Sequence, residues 1–130
     1  MTVMLGLCLK SATAAAAIAT SHFTLSWMHS VEKVRWTEHW RVTPAGLVVD
    51  EASIEGSGAG MDPPDDAVFR DGAWHYRPRV PPQPAVTLAA SRFTPPHTLC
   101  ARGRCRPLGR WVPGPGPVTL SVCGIPSPAR

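Results

Sequence analysis

The chain has 130 residues, a mass of 13.9 kDa and a net charge of +4, which is the size of a single domain. With 44% hydrophobic and 17% charged residues, its composition excludes an intrinsically disordered chain. No stretch reaches the ~18 consecutive apolar residues of a membrane-spanning helix. Proline (15 residues) and glycine (11 residues) argue against long helices. The residues alone indicate neither a catalytic site nor a cofactor.

Short β-strands separated by turns account for most of the sequence. Ala12–Thr20 suits a helix or a strand, and its β-branched Ile18 and Thr20 favour a strand. Phe23–Ser30 and Val34–Val42 alternate apolar and polar residues, which is typical of strands with one face in a core. The other predicted strands are Met4–Leu9, Leu47–Ile54, Ala67–Arg70, Ala73–Arg77, Val86–Ala90, Thr98–Ala101, Arg104–Leu108 and Val118–Cys123.

Turn residues complete this pattern. Asp71-Gly72 predicts a tight hairpin, and the proline-rich segment 78–84 predicts a connection at a sheet edge. Residues 1–20 are either N-terminal strands or a vestigial export segment, and residues 124–130 are expected to fray. We therefore predict one all-β domain over residues 1–130, a small antiparallel β-sandwich or open barrel.

His29 and Glu38 are the most informative polar residues of the two alternating strands. Both fall on the apolar faces, and a hairpin through residues 31–34 places Trp27 opposite Glu38 and His29 diagonally within reach. A buried carboxylate needs a partner, and His29 is the natural one. The pair can fix strand register as a structural clip, which we favour, or serve as a proton acceptor, a ligand anchor or half of a metal site.

The glycine-rich segment Gly56-Ser57-Gly58-Ala59-Gly60 allows two interpretations. Its backbone N–H groups can converge on an anion. However, it lacks the following Lys-Ser/Thr and the helix of a phosphate-binding loop, so a β-bulge or a tight strand exit explains it better. The acidic residues nearby lack the ligand spacing of calcium loops, and we predict no metal site there.

The four cysteines, Cys8, Cys100, Cys105 and Cys123, allow three disulfide pairings. A two-residue turn places Cys100 directly opposite Cys105, where Cα atoms ~4.5 Å apart permit a disulfide. Cys8 and Cys123 can pair if the first and last strands are neighbours. The alternative is a zinc site that includes His97, although the paired cysteine knuckles are missing. An oxidising compartment favours the disulfides, and a reducing one favours free thiols.

Charge is unevenly distributed along the chain. Residues 1–65 carry four basic and seven acidic residues, whereas residues 66–130 carry nine basic and two acidic residues. Arg102, Arg104 and Arg106 cluster on one predicted hairpin, which suits docking onto an acidic protein face, an anionic ligand or a lipid. A set of solvated loops is the simpler interpretation. No nucleic-acid recognition motif accompanies the arginines, so we do not predict a nucleic-acid partner.

Three sequence features together resemble one bacterial family. Residues 23–31 (FTLSWMHSV) have the form aromatic-x-Leu-x-aromatic-x-His-Ser-Val, and Glu38, Trp40 and a Gly-Ser-Gly-Ala-Gly-Met stretch at residues 56–61 follow. The combination is similar to the family called domain of unknown function 1850. The positions that match its motif are His29, Ser30, Glu32, Glu38, Gly56, Gly58 and Gly60.

The resemblance implies a role but no activity, since none is established for the family. Its members are commonly encoded beside tripartite ATP-independent periplasmic (TRAP) transporters of the TAXI type, and many carry a membrane or export segment. It therefore implies a small extracytoplasmic accessory protein that contacts a transporter component for small organic anions. This sequence lacks a clear export segment, which leaves a cytoplasmic location open. The alternative function is a small-ligand or metal-binding module that uses His29 and Glu38.

Overall fold

The structure is a computed structural model that describes residues 3–28, 34–56, 64–89 and 96–126, and all structural statements below refer to these residues. The described residues form short strands and one helical turn. In chain order they are β1 (Val3–Lys10), β2 (Ala15–Ile18), β3 (His22–Met28), β4 (Arg35–Thr43), β5 (Gly46–Glu55), β6 (Val68–Arg70), β7 (Ala73–Tyr76), β8 (Ala85–Leu88), β9 (Thr98–Ala101), β10 (Arg104–Pro107), α1 (Leu108–Trp111) and β11 (Val118–Pro126). The all-β prediction is confirmed. No helix among the described residues has the length and apolar character needed to cross a membrane.

The strands form two antiparallel sheets. The four-stranded sheet has the order β2-β1-β11-β8, and the seven-stranded sheet has the order β10-β9-β3-β4-β5-β7-β6. The first and last strands, β1 and β11, are therefore neighbours, as the pairing of Cys8 with Cys123 requires. The first twenty residues supply β1 and β2, which lie in the four-stranded sheet.

The core lies between the two sheets. Leu7, Leu9 and Leu120 point inward from the four-stranded sheet, and Leu25 and Leu99 point inward from the seven-stranded sheet. Each of these five leucines is at most 1% exposed, and full burial of a leucine side chain contributes about 1.5–3 kcal/mol. The alternating pattern of β3 thus places Phe23 and Leu25 in the core and Trp27 against it, as predicted.

Two hairpins close through two-residue turns with positive φ angles. Asp71 and Gly72 have φ angles of 53° and 78°, and Arg102 and Gly103 have φ angles of 53° and 77°. Successive residues with positive φ form the type I′ turn, whose twist matches that of the paired strands. The predicted Asp71-Gly72 hairpin is confirmed, and the second turn places Cys100 opposite Cys105 as expected.

The proline-rich connection before β8 lies against the edge of β5. The amide of Leu47 donates to the carbonyl of Gln83 (2.7 Å), and the amide of Gln83 donates back to Leu47 (2.9 Å). Gly46 has a φ of 136°, and a Cβ atom there would lie 2.6 Å from the Gln83 carbonyl oxygen. Only glycine therefore permits this approach, which connects the two sheets.

The register between β3 and β4 differs from the prediction. Trp27 lies opposite Trp36, and Glu38 lies opposite Leu25 rather than Trp27. The observed register is shifted by two residues, which leaves every side chain on its predicted face. The observed register places Trp27 and Trp36 directly opposite one another. Their rings stack with centroids 6.1 Å apart, which favours this register.

The ends of two strands also differ from the prediction. β11 continues to Pro126, which pairs with Val3, so residues 124–126 belong to a strand and not to a frayed tail. β10 ends at Pro107, and Leu108 begins α1 instead of completing the strand. Leu108 is 7% exposed in the core, so its burial is retained although the backbone turns.

Candidate functional site

The β9–β10 hairpin presents the predicted docking arginines on a rigid base. A disulfide joins Cys100 and Cys105, whose Cα atoms lie 4.0 Å apart across the two strands, and its prediction is confirmed. The tip, Arg102-Gly103, is a turn of defined φ angles. We refer to residues 98–107 as the arginine hairpin. Its disulfide, its turn and its pairing with β3 restrict the backbone in which the arginines lie.

The three arginines of this hairpin differ in their surroundings. Arg102 is exposed and donates from Nη1 to the carbonyl oxygen of Ala19 (2.6 Å). Arg106 is half-buried, with its guanidinium 5.4 Å from the ring centre of Trp111 in a cation–π contact. Arg104 is exposed and has no hydrogen bond or ion pair to another described residue. Arg104 is therefore the arginine of the hairpin with the most available hydrogen-bond donors.

A cleft of about 390 Å³ lies beside the arginine hairpin, over the outer face of the seven-stranded sheet. Its lining residues include His22, Thr24, His39, Asp50, Cys100 and Arg104. Four of its residues form one row across neighbouring strands, in the order Cys105, Cys100, Thr24 and His39. The disulfide thus forms part of the cleft, in one row with Thr24 and His39.

The acidic residue that lines the cleft is neutralised by a neighbouring arginine. A β-bulge at Asp50 interrupts the pairing of β4 with β5, since His39 pairs with Glu51 and Trp40 pairs with Val49. Arg41 donates from Nε to the Asp50 carboxylate at 2.8 Å. This hydrogen bond and the positive charge of Arg41 hold the pKa of Asp50 below its usual range. The cleft therefore keeps a net basic character.

Glu38 lies on the opposite, inner face of the same sheet. It is half-buried between Leu25 on β3 and Ala52 on β5. Trp40 donates from Nε1 to its carboxylate at 3.1 Å. Burial raises the pKa of Glu38, and the Trp40 hydrogen bond offsets part of this effect. Burial, and to a lesser extent the charge of Glu38, raise the pKa of Tyr76 on β7.

Most of the family-motif positions lie outside the described residues. These are His29, Ser30, Glu32, Gly58 and Gly60, and Ser57 of the glycine-rich segment also lies outside them. The pairing of His29 with Glu38 therefore stays a prediction, and the described partner of Glu38 is Trp40. Gly56 is described and has a φ of 71°, and its amide donates to the carbonyl of Gly72 at 2.8 Å. This geometry fits the predicted strand exit at the end of β5.

The zinc-site alternative is wrong, because both disulfides together use all four cysteines. His97, its remaining ligand candidate, instead packs on Trp27 with ring centroids 4.9 Å apart. Burial lowers the pKa of His97, which favours the neutral imidazole. Within the described residues, no group of three or more His, Cys, Asp or Glu side chains is arranged to hold a metal ion.

Sequence reasoning missed a charged cluster on the outer face of β5, β6 and β7. The Glu51 carboxylate lies 2.7 Å from Nδ1 of His75 and accepts from Arg70 Nη2 at 3.2 Å. It also missed the cleft residues His22 and His39. Alternation indicates that such residues face outward, but only the register brings them together from different strands.

Comparison with known proteins places these features in a family. No curated protein and no solved structure matches the chain. A family model described as a domain of unknown function, DUF1850, matches residues 23–108, which include Glu38, the arginine hairpin and every lining residue of the cleft except His22. The match spans β3 to β10 and covers more than half of the sequence. The chain therefore belongs to the family of domains of unknown function DUF1850.

Proposed function

We propose that the chain is a non-catalytic accessory protein outside the cytoplasm that binds a component of a TAXI-type TRAP transporter for small organic anions. The transporter association comes from the family resemblance described above. The observation that carries the interaction role is the arginine hairpin, which holds exposed Arg102 and Arg104 on a disulfide-closed backbone. The partner surface expected to bind this hairpin is acidic.

The disulfides support a location outside the cytoplasm. Cys8 pairs with Cys123 across the four-stranded sheet, and Cys100 pairs with Cys105 across the hairpin, so no cysteine remains free. Structural disulfides persist in oxidising compartments such as the periplasm and are rare in the cytosol. Full use of the cysteines in disulfides therefore favours an extracytoplasmic protein.

The rigidity of the hairpin supports a docking role. Binding through flexible surface groups loses conformational entropy, whereas a pre-ordered surface loses less. The disulfide restricts the two strands of the hairpin, and the hydrogen bond from Arg102 to Ala19 ties its tip to the segment after β2. The arginines are thus held in a defined arrangement before any partner binds.

Co-purification with the transporter tests the docking surface. The tagged full-length protein is expressed with the neighbouring transporter subunits, and detergent-solubilised complexes are isolated. We expect the double variant Arg102→Glu/Arg104→Glu to abolish co-purification because it reverses two charges at the contact. Arg79→Glu is the matched control, since Arg79 is exposed and lies on a different segment. Equal recovery of the hairpin variant and the wild type would contradict the proposal.

Fractionation tests the location separately. Cells are subjected to osmotic shock, and the protein is alkylated before and after reduction and then weighed intact. We expect recovery in the periplasmic fraction with no thiol available before reduction. Recovery from the cytoplasm with four free thiols would contradict the extracytoplasmic location, whatever the co-purification result.

A further inference from the structure

The two disulfides of the protein differ in their accessibility. Cys105 is exposed on β10, the outermost strand of the seven-stranded sheet, and both Cys100 and Cys105 line the cleft of about 390 Å³. Cys8 and Cys123 are both half-buried on the two central strands of the four-stranded sheet. Thiol–disulfide exchange requires a thiolate to reach a sulfur atom, so accessibility favours reaction at Cys100–Cys105.

The surroundings of Cys8–Cys123 restrict access further. Gly6 lies directly opposite Cys123, and the Ile125 side chain occupies the space over Gly6 where a Cβ atom would otherwise lie. An apolar side chain therefore lies beside this disulfide. The hairpin disulfide instead borders the cleft, in the row of side chains that ends at the exposed His39.

The hairpin disulfide lies in a basic part of the chain. Arg104 and Arg106 adjoin Cys105, residues 72–130 contain no acidic residue, and Asp50 of the cleft is already paired with an arginine. The two arginines alternate with Cys105 and so lie on the other face of β10, where they act through their electric field and not by contact. Salt screens such charges only beyond roughly 8–10 Å. Positive charge attracts an anionic thiol and stabilises the thiolate that reduction releases.

The fold does not depend strongly on the hairpin disulfide. Cys100 and Cys105 lie five positions apart and close a short loop, whereas Cys8 and Cys123 lie 115 positions apart. A short loop contributes less loop entropy to stability than a long one. β9 also pairs with β3 and buries Leu99 in the core, so these contacts hold the strand when the disulfide is open. Reduction of the hairpin is therefore compatible with a folded protein.

From these features we infer that Cys100–Cys105 is a redox-active site, which an external dithiol reduces with help from the positive charge of the hairpin while Cys8–Cys123 stays intact. One thiolate of the dithiol attacks Sγ of the exposed Cys105 and forms a mixed disulfide, and Cys100 leaves with the electron pair of the broken bond. The second thiolate attacks the dithiol's own sulfur in the mixed disulfide, closes the dithiol into a ring disulfide and releases Cys105. Two electrons and two protons thus pass from the dithiol to the two cysteines. This inference goes beyond docking to a transporter and does not rest on it.

Partial reduction of the purified full-length protein tests the inference. The folded protein is incubated with dithiothreitol, samples are alkylated with iodoacetamide at intervals and weighed intact, and peptide mapping assigns the alkylated cysteines. We expect Cys100 and Cys105 to become alkylated at least roughly tenfold faster than Cys8 and Cys123, because only the hairpin disulfide reacts without opening of the fold. Circular dichroism and thermal unfolding of the form with two thiols are expected to show a folded protein. Oxidised dithiothreitol is expected to restore the disulfide.

Variants test the contribution of charge. Arg104→Gln/Arg106→Gln removes the two charges beside Cys105 and is expected to slow reduction by glutathione, an anionic thiol, roughly threefold to tenfold. High salt is expected to slow reduction of the wild type in the same way, since it screens the same charges. Arg79→Gln is the control, because Arg79 is exposed on a different segment, and we expect it to react like the wild type. Thermal unfolding of each variant shows whether the fold is retained.

Three results would overturn the inference. Equal rates for the two disulfides would mean that reduction follows opening of the whole fold. Unfolding of the protein when Cys100–Cys105 alone is reduced would make this disulfide structural. An unchanged rate with glutathione for a folded Arg104→Gln/Arg106→Gln variant would exclude the role of charge. Because the assay uses the purified chain and small thiols, none of these outcomes bears on co-purification with the transporter.

Discussion

Two carboxylates on opposite faces of the seven-stranded sheet show how the environment of a side chain shifts its pKa. Glu38 lies on the inner face of β4, where burial raises its pKa and a neutral indole is its hydrogen-bond partner among the described residues. Asp50 lies on the outer face of β5, where the Arg41 guanidinium lowers its pKa. The two residues are on neighbouring strands, yet their environments shift their pKa values in opposite directions.

The contrast indicates that the two faces of the seven-stranded sheet have different roles. The inner face contributes to the core and disfavours charge, so Glu38 is better accommodated when protonated. The outer face carries exposed ion pairs, such as Arg41 with Asp50, and the exposed side chain of His39. A charged ligand or partner is therefore expected at the outer face, and the predictions below test whether the two faces differ as described.

The largest effect is expected from removal of the Cys8–Cys123 disulfide. This disulfide lies in the four-stranded sheet, and that sheet covers the inner face of the seven-stranded sheet. Cys8 and Cys123 are separated by 115 residues, and closure of so long a loop is worth about 5 kcal/mol in loop entropy. We expect Cys8→Ser/Cys123→Ser to lower the free energy of unfolding by an amount of this order in urea titrations. A loss of less than about 1 kcal/mol in the free energy of unfolding would mean that packing, without the disulfide, is enough to hold the four-stranded sheet over the inner face.

A smaller effect is expected from removal of the hairpin disulfide on the outer face. Cys100 and Cys105 lie only five positions apart, so the same loop-entropy relation gives about 2 kcal/mol. We expect Cys100→Ser/Cys105→Ser to fold, with a free energy of unfolding reduced by an amount of this order in urea titrations. The double variant of Cys8 and Cys123 is the matched control, because it opens the longer loop. An equal loss of stability from the two double variants would contradict the dependence on loop length.

Much of this architecture can be predicted from the sequence because local rules determine it. Alternation assigns Leu25 to the core, and a two-residue turn between cysteines five positions apart predicts the Cys100–Cys105 disulfide. Neither result needs knowledge of distant residues. The family motif at residues 23–31 likewise leads to the family that the comparison confirms.

The features that the sequence does not predict depend on contacts between strands. A shift of two residues keeps every side chain on its face, so alternation could not distinguish Leu25 from Trp27 as the neighbour of Glu38. The bulge at Asp50 has no distinctive residue such as glycine to mark it. The cleft combines His39 with Cys100, which are far apart in sequence and are brought into one row only through Thr24 on β3.

Substitution of Glu38 sharpens the comparison on the inner face. Because its pKa is raised in the folded protein above the ordinary value of 4.5, the folded state binds a proton more tightly than the unfolded state. Stability from this group is thus fully present at low pH and is lost as pH rises from about 4.5 through the raised pKa. We expect Glu38→Gln, which cannot ionise, to gain stability relative to the wild type over this interval. Urea unfolding at several pH values measures the difference.

Glu38→Ala is the matched control for this prediction. It removes the acceptor of Trp40 Nε1, whereas glutamine keeps an amide oxygen there. We expect a loss of about 1 kcal/mol, at the low end for an unsatisfied donor because water can reach the half-buried site. A Glu38→Gln variant that is destabilised equally at all pH values would contradict the raised pKa and would favour a charged partner for Glu38, such as His29.

The smallest effect, of opposite sign, is expected from Asp50→Asn on the outer face. The pKa of Asp50 is lowered in the folded state, so its stabilising contribution is present above its ordinary value of 3.8 and is lost as pH falls through the lowered pKa. Both partners are exposed, and exposed ion pairs contribute little. We therefore expect a slight loss of stability at neutral pH that disappears in acid and in high salt, where the charges are screened. A loss of stability that persists in acid or in high salt would contradict this account of the Arg41–Asp50 pair.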